Sequence, residues 1–129
     1  MPVRSLGSSL MRWPAREEVL RKAREWAEGL ELPGLLAVGV FGSYARGEAG
    51  VGSDLDLVLL VRESPLPFAQ RSTQLPLETL PVPAEALVYT PAEWQALSQR
   101  SPRFFHTLLR EAVWVWGVAQ PTGRSSRNQ

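Results

Sequence analysis

The 129-residue chain has no cysteine and a single histidine, His106. The first absence excludes disulfides, thiolate metal sites and cysteine nucleophiles. The second excludes a metal cluster built from several histidines. No apolar run approaches the roughly 18 residues expected of a membrane span. The opening stretch MPVRSLGSSLMRW lacks the apolar core of a secretory signal, so the expected location is cytoplasmic. An excess of charge is missing too: 14 basic and 13 acidic side chains leave a formal net charge of +1. That balance argues against a general electrostatic grip on long nucleic acid, but it allows a small anionic ligand held by local geometry. What is present is ordinary globular composition, 44% apolar and 21% charged, in a length suited to one domain with its own core.

Periodicity divides the chain into a flexible lead-in over 1–13, a folded domain over 14–117 and a polar, flexible tail over 118–129. Pro14 suits a first helical turn, and Val19, Ala23, Trp26 and Leu30 recur on one helical face until Gly29 and Pro33 close it. Glu17 with Arg21, and Glu18 with Lys22, are expected i,i+4 pairs worth about 0.2–0.5 kcal/mol each. Leu35 to Phe41 reads as a buried strand, and Asp54 to Val61 as a second that is apolar on both faces after its two aspartates. Between them Ser43 to Glu48 should turn into a short helix, and Gly50, Gly52 and Ser53 form a second turn. Residues 62–83 are broken by Pro65, Pro67, Pro76, Pro81 and Pro83, which permit only a short helix near Phe68 to Leu75. Ala84 to Thr90 is a third strand, and Thr90-Pro91-Ala92-Glu93 spells a capping box. A second helix of this half runs from Ser101–Pro102 to about Glu111, and Ala112 to Trp116 is either a last strand or the end of that helix. Trp94 should pack its helix on the sheet, and Trp114 and Trp116 read as core or subunit contact.

The segment that carries chemistry is Gly42-Ser43, ten residues, then Asp54-Leu55-Asp56. One intervening residue in an extended run puts both carboxylates on the same face. Two such charges repel unless a cation lies between them, and a hard divalent ion such as Mg²⁺ accepts both carboxylate and phosphate oxygens. A glycine-containing loop with a hydroxyl, opening a helix, offers backbone N–H groups to phosphate. Loop and acidic pair together therefore point to a Mg²⁺-nucleotide, with Ser53 in the adjoining turn as a further candidate contact. Taken singly, Asp-x-Asp and Gly-Ser are common turn features; it is their combination between two buried strands that is informative.

On these residues the chain resembles the DNA polymerase beta-like nucleotidyltransferases, and the string GSYARGEAGVGSDLDLVLLV is similar to their small, minimal (MNT-type) members. The resemblance implies an α/β fold with a small mixed twisted sheet packed against helices. It implies that Gly42 and Ser43 hold the terminal phosphates of ATP or another nucleoside triphosphate, with Arg46 within reach of a phosphate. It implies two Mg²⁺ ions on Asp54 and Asp56, and a third carboxylate from a neighbouring strand. That position is filled here by Glu85, one methylene longer than the aspartate of the family pattern. A displacement of about 1 Å at a reacting centre can cost about 100-fold in rate. Glu78 is a weaker stand-in because it lies in the proline-rich stretch. The activity implied is transfer of AMP from ATP to a hydroxyl, with an all-helical HEPN-type protein as partner and one of its tyrosines as acceptor, an antitoxin role. Two other readings stay open. One is a nucleotide- or partner-binding regulatory subunit with weakened chemistry, suggested by Glu85 and the irregular 62–83 stretch; the other is modification of a small aminoglycoside-like compound. A homo-oligomer is compatible with all three.

Overall fold

The computed structural model describes residues 13–117; the expected lead-in and tail lie outside them, except Trp13. Helix α1 (Arg16–Glu28) is followed by β1 (Leu35–Phe41), the short helix α2 (Ser43–Arg46) and β2 (Leu55–Val61). Two 3₁₀ segments (Phe68–Gln74 and Leu77–Thr79) lead to β3 (Ala84–Tyr89), α3 (Pro91–Arg100), α4 (Pro102–Glu111) and β4 (Val113–Gly117). The four strands form one mixed sheet in the order β3-β2-β1-β4, with β1 antiparallel to β2 and β4, and β2 parallel to β3. The expected α/β class with a small mixed sheet is thus what the chain forms. The alternative for Ala112 to Trp116 resolves as a strand, because Ala112 turns extended and Val113 pairs with Val40.

Strand β2 is central, and Leu55, Leu57, Val58, Leu59 and Leu60 are each 0% exposed. Alternation divides it between two cores. Leu55, Leu57, Leu59 and Val61 face α1 and the 3₁₀ region, with Val19, Ala23, Ala27, Leu75, Leu80 and Val82. Val58 and Leu60 face α3 and α4, with Tyr89, Trp94, Phe105 and Leu108. Trp94 packs as expected, making edge contacts with Tyr89, Phe105 and Trp114. Trp114 lies over Gly39, where a Cβ would come within 2.9 Å of its ring. This face of β1 is therefore filled by an indole from the next strand.

Three local expectations are corrected. Helix α1 begins at Arg16 with Ala15 as N-cap, so Pro14 precedes the helix and does not open it. Its ion pairs are Arg21–Glu25, Lys22–Glu25 and Arg24–Glu28, not Glu17–Arg21 and Glu18–Lys22. Arg21 and Lys22 each had an acid one turn away on either side, and Glu17 and Glu18 stand in the first turn, where the helix dipole favours acids without a partner. Asp54 lies one residue before β2, not within it.

The 62–83 stretch is packed. Its prolines keep the elements short, and the Phe68–Gln74 segment, a 3₁₀ helix, falls where a short helix was expected. The segment is anchored by Arg71, whose side chain is 8% exposed and forks onto Glu93 at 2.5 and 3.0 Å. Arg71 also donates to the carbonyls of Leu66 (2.9 Å) and Val88 (3.0 Å). Glu93 completes the capping box as well: its Oε1 accepts from Thr90 N at 2.9 Å, and its own N donates to Thr90 Oγ1 at 3.3 Å. The Arg71 guanidinium, with help from Thr90, holds the Glu93 carboxyl down to about 2, from an ordinary 4.5.

A carboxyl depressed on folding contributes stability that is complete above its unfolded value and is lost as pH falls through its folded value. The Arg71–Glu93 contribution should therefore be full above about pH 4.5 and vanish near pH 2. Glu93→Gln should lower stability at pH 7 by roughly 1–2 kcal/mol, below the full value of a charged hydrogen bond because Glu93 is 40% exposed. Urea unfolding of both proteins from pH 7 to pH 2 checks this; a stability gap that persists at pH 2 would contradict it.

Candidate functional site

β1 ends at Phe41 directly opposite Asp56. The chain then turns at Gly42, with φ 75° and ψ −153°. This region of backbone conformation is essentially restricted to glycine. The space above Gly42 is already taken, because a Cβ there would overlap Oδ2 of Asp56. Glycine is thus required twice, for its backbone conformation and for the carboxylate that rests on it. The next residues, Ser43 to Arg46, form one helical turn closed by Arg46 N on the Gly42 carbonyl at 3.0 Å and by left-handed Gly47.

The short helix is held from outside. Arg16 at the start of α1 donates to the carbonyls of Tyr44 (2.7 Å) and Ala45 (3.1 Å), two of the last-turn acceptors that a helix leaves open. Tyr44 is 1% exposed, and its hydroxyl receives the indole N–H of Trp13 at 2.7 Å. Tyr44 is therefore a buttress beneath the turn. Neither Arg16 nor Trp13 stood out in the sequence; the capping of the 43–46 turn depends on a contact nearly thirty residues away in the chain, and Arg16 is one of several bases on α1.

The three acidic candidates meet at the same end of the sheet. The parallel register of β2 with β3 puts Asp56 directly beside Glu85, on the face that continues inward as Val58 and Leu60. Asp56 is half-buried, whereas Asp54 and Glu85 are exposed. Burial raises the Asp56 carboxyl above its ordinary value, the neighbouring charges of Glu85 and then Asp54 raise it further, and only the Arg46 charge opposes them. The side chains are near enough to repel, yet among the described residues no three metal-ligating side chains close around a common point. The donor set, hard carboxylate oxygens short of positive charge, has the chemistry of a hard divalent cation site.

The remaining candidates occupy defined places. Ser53 closes its turn: its Oγ accepts from Gly50 N at 2.9 Å and its N donates to the Gly50 carbonyl at 3.0 Å. Arg46 donates to Glu48 at 2.9 Å and to Glu111, the last residue of α4, at 3.3 Å. Glu78 lies in the second 3₁₀ segment, away from the β2–β3 register that joins Asp56 to Glu85. A cavity of about 570 Å³ is at the opposite end of the sheet, lined by Gly34, Val61, Arg62, Arg71 and Val88 among others. The carboxylates occupy an open surface, as a site for a large polyanion and a second substrate can.

A family model described as the nucleotidyltransferase domain matches residues 20–105, two-thirds of the chain, including Gly42, Asp54, Asp56 and Glu85. No curated protein sequence matches the chain. Among solved structures, a Sulfolobus solfataricus protein provisionally named a nucleotidyltransferase is 20% identical, with 79% of this chain and 83% of that one covered and a TM-score of 0.55. A toxin–antitoxin structure with AMP-PNP is 17% identical over 78% of this chain and 75% of the other, with a TM-score of 0.54. A Shewanella oneidensis complex of tri-AMPylated HEPN toxin with MNT antitoxin is 16% identical over 83% and 76%, with a TM-score of 0.51. At these identities the likeness is one of fold. Among the described residues no helix is long and apolar enough to cross a membrane. The family match spans the glycine turn, the acidic pair and the strand that carries Glu85, and by it the chain belongs to the nucleotidyltransferase domain family.

Proposed function

We propose that the chain transfers AMP from ATP to a hydroxyl of a HEPN-type partner protein, using Asp54, Asp56 and Glu85 to hold two Mg²⁺ ions. The observation that carries this reading is the crowding of Asp56: its carboxylate rests on Gly42, beside Glu85 and Asp54, with its proton affinity raised by burial and then by both. A cluster of that kind takes up cations. Bound Mg²⁺ would neutralise the triphosphate and make the acceptor hydroxyl more acidic.

The chain's own groups bind and orient. The Ser43 hydroxyl and the N–H groups that open the 43–46 turn donate to the β and γ phosphate oxygens, and the Arg46 guanidinium adds a charged donor. Ser53 shapes the adjoining turn. Glu85 takes the proton of the acceptor hydroxyl as its oxygen attacks the α-phosphorus. The bond from that phosphorus to the bridging oxygen breaks, and pyrophosphate leaves. Positioning and fixed charge supply most of the acceleration in such a transfer. The partner class is supported by the HEPN toxin bound to MNT antitoxin in the Shewanella oneidensis complex of like fold, and ATP as donor by the AMP-PNP of another.

A second reading, a regulatory subunit that binds nucleotide or partner without turnover, draws on the exposure of Glu85 and on the three carboxylates not yet converging on one point among the described residues.

Incubation with α-labelled ATP, Mg²⁺ and a HEPN-type protein separates the two readings. Label should pass to the protein, and Asp54→Ala with Asp56→Ala should reduce transfer by at least about 100-fold. ATP binding with no transfer would favour the regulatory subunit, and full transfer by the double variant would overturn the site assignment. The role of Glu85 has its own measurement. Its charge helps to raise the Asp56 carboxyl, so Glu85→Gln should bring the NMR titration of Asp56 down towards the ordinary aspartate range. An unmoved titration would place the Glu85 carboxylate outside the site.

A further inference from the structure

We infer that Glu111 is a built-in competitor for the phosphate-binding arginine: it holds Arg46 in an ion pair that must open before Arg46 can reach a triphosphate, and so weakens nucleotide binding. The inference rests on the nucleotide reading of the Gly42–Asp56 site. Arg46 ends the single helical turn that follows Gly42, so its backbone is fixed beside the glycine turn. Its guanidinium is shared between two carboxylates, Nε with Glu48 at 2.9 Å and Nη1 with Glu111 at 3.3 Å. The two acceptors differ in kind. Glu48 is a near neighbour in the chain and 64% exposed, whereas Glu111 lies 65 residues away and is 20% exposed.

The fold brings Glu111 to this place. Ala112 N closes α4 on the Leu108 carbonyl at 2.9 Å, and Val113 then pairs with Val40. Glu111 is two residues before Val113, and Gly42 is two residues after Val40. The antiparallel register thus delivers both to the same end of the sheet. The Glu111 carboxylate and a phosphate oxyanion are equivalent acceptors for one guanidinium edge, and a donor edge engaged by one is closed to the other. Arg46 is also the group whose positive charge opposes the crowding at Asp56. An arm held by Glu48 and Glu111 is therefore partly neutralised just where a polyanion would need it. The arm is 41% exposed, and exposed pairs are weak enough to exchange, which suits a competitor and not a lock.

The test is calorimetric titration of the full chain with ATP in the presence of Mg²⁺, on wild type and four variants. Glu111→Gln should tighten binding about two- to five-fold, the range that the loss of one weak competing pair allows. Arg46→Ala should weaken binding, and Glu111→Gln added to Arg46→Ala should change nothing further. Glu28→Gln removes the same charge from the exposed Arg24 pair on α1 and should leave affinity as in wild type. Unchanged or weaker binding by Glu111→Gln overturns the inference, because a residue that positions Arg46 productively would behave that way. So does an equal gain in the Arg46→Ala background or in Glu28→Gln, since either would be a general charge effect. If wild type and all variants fail to bind ATP, the nucleotide reading falls and the inference with it; if wild type binds without the gain, only the inference falls.

Discussion

A strand buried on both faces can carry ionised groups only where it reaches water. β2 runs between β1 and β3 with Leu55 and Leu57 through Leu60 fully enclosed, and an unpaired carboxylate at any of those positions would cost several kcal/mol. The acids are therefore confined to its opening, at Asp54 and Asp56. The neighbouring strands meet it there in fixed register: β1 brings Gly42, and β3 brings Glu85. The site is in this sense a consequence of the core. The apolar length of β2 sets the sheet, and the sheet sets which loop and which third carboxylate stand beside its charged end.

The charges around that end are unevenly matched. Asp56 is half-buried beside two other acids, while Arg46, the base whose charge opposes them, is divided between Glu48 and Glu111. Such an arrangement holds repulsion that a divalent cation would relieve. It also ties the site to the far end of the chain, because Glu111 is placed by α4 and β4. The Arg71–Glu93 pair has a different task on the other side of the molecule. There a buried guanidinium gathers the proline-broken segment, the end of β3 and the cap of α3 into one connected unit.

Much of this was legible in the sequence where the physical signal is local. The runs Leu35 to Phe41 and Leu57 to Val61 are apolar on both faces, which specifies buried strands. The Thr90-Pro91-Ala92-Glu93 string specifies a cap, and that cap forms. Gly42, Ser43, Asp54 and Asp56 stand within fifteen residues, so loop and acids announce each other. Glu85 could be matched to Asp56 only through the family resemblance, because a parallel strand pair has no short turn to fix its register. Arg16, Arg71 and Glu111 were illegible for the same reason: each is one charged residue among many, and each gains its meaning from a partner 17 to 65 residues away. The ion pairs of α1 were misassigned because helical spacing permits both neighbours and does not choose between them.

On the proposed reading, the end of β2 takes up a divalent cation and the phosphates of a nucleotide. A crystal structure grown with Mn²⁺ and a non-hydrolysable ATP analogue, with the metal located by its anomalous signal, tests it most directly. Manganese should lie against the carboxylates of Asp54 and Asp56, with the β and γ phosphates over Gly42 and Ser43. Nucleotide bound instead in the cavity beside Arg62 and Arg71, or manganese absent from the two aspartates, would contradict the account.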